Sequence, residues 1–130
     1  MVDRELIVAK AATVKKHLKR IETKRGNSLD AFKNDIDRQD LVFFNLQMAI
    51  QNCVDIAAHI VGEKGFGVPG STNELFYLLE ENGYLQPEIT EKMTRAVGFR
   101  NLMVHEYAKI DIEQVYVSVH EHLDDLNDYL

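Results

Sequence analysis

Apolar residues recur every three or four positions along most of this chain, and that spacing predicts helices rather than strands. Ile7, Ala11, Val14, Leu18 and Ile21 form the first stripe, with Lys15, Lys16, Lys19 and Arg20 off it. Gly26 and Asn27 end this helix, and Ser28 caps a short one carrying Leu29 and Phe32. Asp37 reads as the next N-cap. From Leu41 to Val61 the sequence is apolar nearly all round, through Phe43, Phe44, Leu46, Ile50, Val54 and Ile56. A helix of that kind is buried on several sides and is expected at the centre, with apolar surface to spare for a second chain.

Residues 62–70, Gly-Glu-Lys-Gly-Phe-Gly-Val-Pro-Gly, read as the main loop. Ser71 with Glu74 makes a capping box for a helix through Leu75, Leu78 and Leu79, which Gly83 stops. Pro87 suits the first turn of the following helix, which passes Ile89, Met93 and Val97. Asp111 caps a last helix with Ile112, Val115, Val119, Leu123, Leu126 and Leu130 on its apolar face. No strand alternation, internal repeat or low-complexity segment competes with these periods. The expectation is one all-α domain over residues 1–130, with about four long helices plus short ones.

Composition narrows the function classes. A chain of 130 residues with 45% hydrophobic and 28% charged content has the balance of a folded protein with a real core. The single Cys53 excludes an intramolecular disulfide, and its apolar surroundings point to a buried thiol in a reducing cytoplasm. The first residues carry no signal-peptide pattern, and no uninterrupted apolar run approaches membrane-spanning length, so no membrane role is expected. The net charge of −6 disfavours nonspecific nucleic-acid binding. Any chemistry on RNA must use a local positive cleft, a partner or dimerisation.

Several constellations carry little. Gly65-x-Gly67-x-x-Gly70 has the spacing of a dinucleotide fingerprint, but it follows a helix, contains Pro69 and lacks a βαβ unit, so a connector is the better reading. His120 and His122 point about 200° apart on a regular helix and cannot chelate one ion. Asp55 and His59 share a face, but two ligands are too few for a closed metal site, and a hydrogen bond within the helix fits better. Asp124, Asp125 and Asp128 read as a solvated acidic face, and Tyr84 and Tyr129 as packing residues. The basic run Lys15, Lys16, His17, Lys19, Arg20, Lys24 and Arg25 reads first as a solvated helix face and second as an accessory surface for an RNA backbone.

Residues 98–107 differ from all of these. They read Gly-Phe-Arg-Asn-Leu-Met-Val-His-Glu-Tyr and contain Arg-x4-His-x-Tyr, with Arg100, His105 and Tyr107. A permanent cation, a proton-transfer group and a phenol fall within about two helical turns. With six Arg, five His and five Tyr in the chain, chance produces this pattern roughly 0.01 times. On a regular helix Arg100, Val104 and Tyr107 share one face, and Asn101 and His105 share another, where Asn101 can hydrogen-bond and orient the His105 ring. Arg100 and His105 lie about 140° apart. Three arrangements bring them to one phosphate: the helix deviates near its end, Arg100 reaches round, or two chains share a cleft. Gly98, costly inside a helix by about 1 kcal/mol against Ala, suits the close approach of another backbone.

In this segment, and in size, helical layout and apolar central helix, the chain resembles the HEPN superfamily, and in particular its HepT-like toxins. The resemblance implies a four-helix-bundle core with added helices, a homodimer whose paired Arg-x4-His motifs line a shared cleft, and metal-independent endoribonuclease activity. Arg100 and His105 are then catalytic, Asn101 orients, and no cofactor or metal is required. His105 suits removal of a 2′-hydroxyl proton near neutral pH, and Arg100 suits stabilisation of phosphoryl oxygens. Expected products are a 2′,3′-cyclic phosphate and a 5′-hydroxyl end. The resemblance also implies a type II toxin–antitoxin pair. There an MntA-like minimal nucleotidyltransferase forms a hetero-oligomer with the toxin and uses ATP to adenylylate Tyr107. The competing expectation is a noncatalytic HEPN-type binding module that serves as substrate or adaptor for such a nucleotidyltransferase.

Overall fold

Polar residues placed just ahead of apolar stripes decide where the helices begin. A computed structural model describes residues 3–26, 28–105, 115–116 and 129. Its elements are α1 (Arg4–Lys24), α2 (Leu29–Lys33), α3 (Ile36–Lys64), α4 (Thr72–Glu81) and α5 (Pro87–His105), with no strand among the described residues. Asp3, Ser28, Asp35 and Ser71 are the N-caps of α1 to α4, and each side chain accepts from the backbone N–H three residues on. The cap of α3 is therefore Asp35, not Asp37. Asp37 lies in the first turn, where its charge still complements the helix dipole.

The loop after α3 is shorter than its sequence suggests. Gly62, Glu63 and Lys64 continue the helix, and Gly65 ends it in the left-handed conformation at φ 65°. Gly67 also has a positive φ, 133°. The glycines thus serve helix termination and a turn, which settles the Gly-x-Gly spacing as a connector. Ser71 Oγ accepts from Glu74 N at 3.3 Å, while the Glu74 carboxylate turns back to Gly70 N at 2.7 Å instead of to the cap residue.

The core is built around α3. Val42, Leu46, Ala49, Ile50, Cys53, Ala57 and Val61 are buried there, against Val14, Leu18 and Ile21 of α1, Phe32 of α2, Leu75, Phe76 and Leu79 of α4, and Met93 and Val97 of α5. Val115 and Tyr129 also belong to this core, and Tyr129 stacks edge-on to Phe76 at 5.7 Å. Apart from Tyr116, the remaining positions of the last predicted helix, including Asp111, His120, His122, Asp124, Asp125 and Asp128, lie outside the described residues. By length and composition α3 could cross a membrane, but 61% of its most apolar window is buried inside the protein. Its hydrophobicity is that of a central core helix.

Buried polar groups on α3 are satisfied locally. Gln39 Nε2 donates to the carbonyls of Phe32 and Lys33 at 2.8 and 3.0 Å, which closes the C-terminus of α2. Asn52 Nδ2 donates to Met48 O at 2.8 Å. Burial pushes the Cys53 thiol up to about 12. The Tyr129 hydroxyl donates to the Cys53 carbonyl at 2.9 Å, and burial, then the adjacent Cys53, raises its pKa as well.

Candidate functional site

Helices α1 and α3 meet along a seam whose polar contacts set the site. Asp3 N donates to His59 Nε2 at 2.9 Å, Lys10 Nζ to Asp55 Oδ2 at 3.1 Å, and His17 Nδ1 to Asn45 Oδ1 at 2.7 Å. These contacts descend α3 as they ascend α1, so the two helices run antiparallel. Asp55 and His59 therefore do not bond each other as their spacing suggests. Partners from α1 reach both, and Gln51, one turn earlier on α3, also donates to Asp55 Oδ1 at 2.9 Å.

Gln51 connects this seam to α5. Its carbonyl oxygen accepts from Arg100 Nη1 at 2.5 Å, while Arg100 Nη2 donates to Asn101 Oδ1 at 2.8 Å. A continuous path thus runs Lys10–Asp55–Gln51–Arg100–Asn101 across three helices. Arg100 is half-buried, and its Nε is a buried donor with no hydrogen-bond partner among the described residues. Both of its described partners are neutral amide oxygens. They fix the plane of the guanidinium without cancelling its charge, whereas a carboxylate in the same place would do both. The nearby carboxylate, Asp55, is shared between Gln51 and the Lys10 cation. Chemically, this is an oriented cation with a donor unsatisfied among the described residues, in a setting less polar than water, where attraction to an anion is strengthened.

Of the predicted site residues, Arg100 and Asn101 are therefore adjacent and bonded to each other. The oxygen of Asn101 goes to Arg100; the sequence reading pairs that side chain with His105. His105 is the last residue of α5 in its described extent, and its side chain, like Tyr107, lies outside the described residues. A Cβ on Gly98 would meet nothing within 4 Å. Gln51 and Lys10 are the contributors that the sequence reading missed, while Asp55, paired there with His59, bonds these two instead. A signal for them existed: Gln51, Asp55 and His59 interrupt the apolar run at i, i+4 and i+8, on one face of α3.

A family model described as Ribonuclease HepT-like matches residues 14–130. The chain belongs to the HepT-like ribonuclease family. Among its relatives, an mRNA nuclease HepT of Shewanella oneidensis is 34% identical over 126 residues, covering 97% of this chain and 94% of that protein. A tRNA nuclease HepT of Aphanizomenon flos-aquae is 32% identical over 103 residues, or 79% of this chain and 68% of that one. The fold agrees with a solved structure of a tri-AMPylated Shewanella oneidensis HEPN toxin in complex with MNT antitoxin, at TM-score 0.91 and 34% identity, over 98% of this chain and 95% of the other. The HEPN-type all-helical fold is thereby shown. In this chain Arg100 stands on α5 and Gln51 of the central helix holds it.

Proposed function

We propose that this chain is the toxin of a type II HEPN/MNT toxin–antitoxin pair, and that it cleaves RNA as a metal-independent endoribonuclease. The observation that carries this reading is Arg100: a guanidinium fixed by two neutral amides, with a buried Nε–H still unpartnered among the described residues. Neutral partners leave the guanidinium charge uncancelled and available to attract a phosphate oxygen. In the reaction the RNA 2′-oxygen bonds to phosphorus and the P–O5′ bond breaks. His105 takes the 2′-hydroxyl proton, the 5′-oxygen leaves with a proton, and Arg100 stabilises the charge on the phosphoryl oxygens. Asn101, whose oxygen is engaged by Arg100, has an amide donor with which to orient the His105 ring. The products are a 2′,3′-cyclic phosphate and a 5′-hydroxyl.

Two copies of the chain form the cleft, which resolves the wide angle between Arg100 and His105. A nucleotidyltransferase antitoxin consumes ATP to place AMP on Tyr107, adding bulk and negative charge beside Arg100 and blocking the substrate phosphate. The AMPylated toxin–antitoxin complex of the Shewanella relative supports this part of the reading. The test is RNA cleavage in EDTA by the wild type, by His105→Ala and by protein pre-incubated with ATP and its partner. Cleavage by the wild type alone is expected. Adenylylation at Tyr107 without any cleavage by the unmodified protein would instead establish the noncatalytic module.

A further inference from the structure

Beside the seam, toward the N-terminal end of α3, lies a groove of about 500 Å³. Lys16, His17 and Arg20 line it from α1, and Asp40, Phe44 and Asn45 from α3. Phe44 is 58% exposed, although it stands among the buried residues of the central helix. Its ring lies edge-on to His17, with centroids 6.2 Å apart and planes at 77°. His17 is itself fixed: Asn45 Nδ2 donates to Leu41 O, so Asn45 Oδ1 accepts from His17 Nδ1. Lys16 and Arg20 are exposed one turn apart on the same helix. Asp40, the acidic residue on the lining, has a partner within the chain.

We propose that this groove binds a nucleotide of single-stranded RNA close to the cleavage site, with its base stacked on Phe44 and its phosphate held by Lys16 and Arg20. This rests on the ribonuclease reading above. Three observations favour a nucleic acid over a protein segment. An exposed aromatic ring beside cations is the pairing that single strands use, because every base offers a face and every linkage a charge. The chain carries −6 overall, yet Lys15, Lys16, Lys19, Arg20 and Lys24 crowd the second half of α1, so the groove lies beside the local positive cleft that an acidic ribonuclease needs. Finally, Phe44 and Gln51 are seven residues apart on α3, which puts them on one face about 10 Å apart. Gln51 holds Arg100. A strand stacked on Phe44 reaches the motif arginine within a few nucleotides.

The experiment compares the wild type with Phe44→Ala and with the double variant Lys16→Ala/Arg20→Ala, all changes at exposed side chains. Fluorescence anisotropy with a labelled single-stranded oligodeoxyribonucleotide, which lacks the 2′-hydroxyl and stays intact, reads the groove whether or not the protein cleaves RNA. Cleavage kinetics on the matching oligoribonucleotide and on a dinucleotide read its coupling to the site. The expected result is binding weakened about tenfold in each variant. KM for the oligoribonucleotide should rise to match, with kcat unchanged and dinucleotide cleavage untouched. Unchanged affinity in both variants overturns the proposal. So does unchanged nucleic-acid affinity with loss of binding to the nucleotidyltransferase, which would make the groove a protein-docking surface. Phe44-dependent binding by a wild type that cleaves nothing would support the groove and remove the ribonuclease reading.

Discussion

Ile50 and Gln51 are neighbours on α3 and do opposite work. Ile50 is 1% exposed and packs into the common core, where its contribution is apolar burial alone. Gln51, turned about 100° away, is half-buried and holds the motif arginine while donating to Asp55. The core face tolerates only shape and hydrophobicity. The seam face carries hydrogen bonds whose value lies in where they hold a charge, and they add little net stability, about 1 kcal/mol each. One helix thus separates what keeps the protein folded from what equips it for chemistry.

The largest effect expected from this contrast is on stability. Ile50→Ala should lower the unfolding free energy by about 2–5 kcal/mol in a denaturant titration. Cleavage per folded molecule should stay close to that of the wild type, and a loss of activity larger than the loss of folded protein would show that the two faces are coupled. High pH probes the same core. A thiol whose folded pKa lies above its unfolded value keeps its proton more tightly in the native state. The Cys53 contribution is therefore intact below its ordinary value of 9.0 and is lost as pH rises toward about 12, at about 1.4 kcal/mol per pH unit. Tyr129 adds to this loss once pH rises above its ordinary value of 10.0. Thermal melts across that alkaline window should show a falling Tm, flattened in Cys53→Ala; an unchanged slope in that variant would contradict the assignment.

The seam predicts the reverse pattern. Gln51→Glu retains an oxygen acceptor for Arg100 but adds a charge that neutralises the guanidinium, and it exchanges the amide donor to Asp55 for a second carboxylate. Its cleavage rate should drop about tenfold, with Tm within a few degrees of the wild type. Wild-type activity in Gln51→Glu would mean that neutrality of the brace is irrelevant.

The fold was legible because helix starts and apolar stripes are local properties. Ser28, Ser71 and Pro87 mark their helices correctly, and Val14, Leu18 and Ile21 are buried as their period requires. Asp37 misled because Asp35 offers the same cap chemistry two residues earlier, and only the packed helix shows which one is used. At the site, Arg100 and Asn101 could be singled out from composition and spacing, but their mutual bond could not. Rotation around a helix separates adjacent residues by about 100°, yet the long Arg100 side chain folds back to Asn101 while another branch reaches Gln51. The brace joins residues 49 positions apart in the chain, so it follows from tertiary packing of α5 on α3 and not from any local pattern. Tyr107 and the His105 side chain lie outside the described residues.

The most direct measurement of the central claim is single-turnover cleavage of an RNA substrate in EDTA by the wild type and by Arg100→Ala, with Tm recorded for both. Removing a donor that acts on developing charge should slow cleavage by about 10²–10³-fold while the protein remains folded. Equal rates in the two proteins would contradict the account.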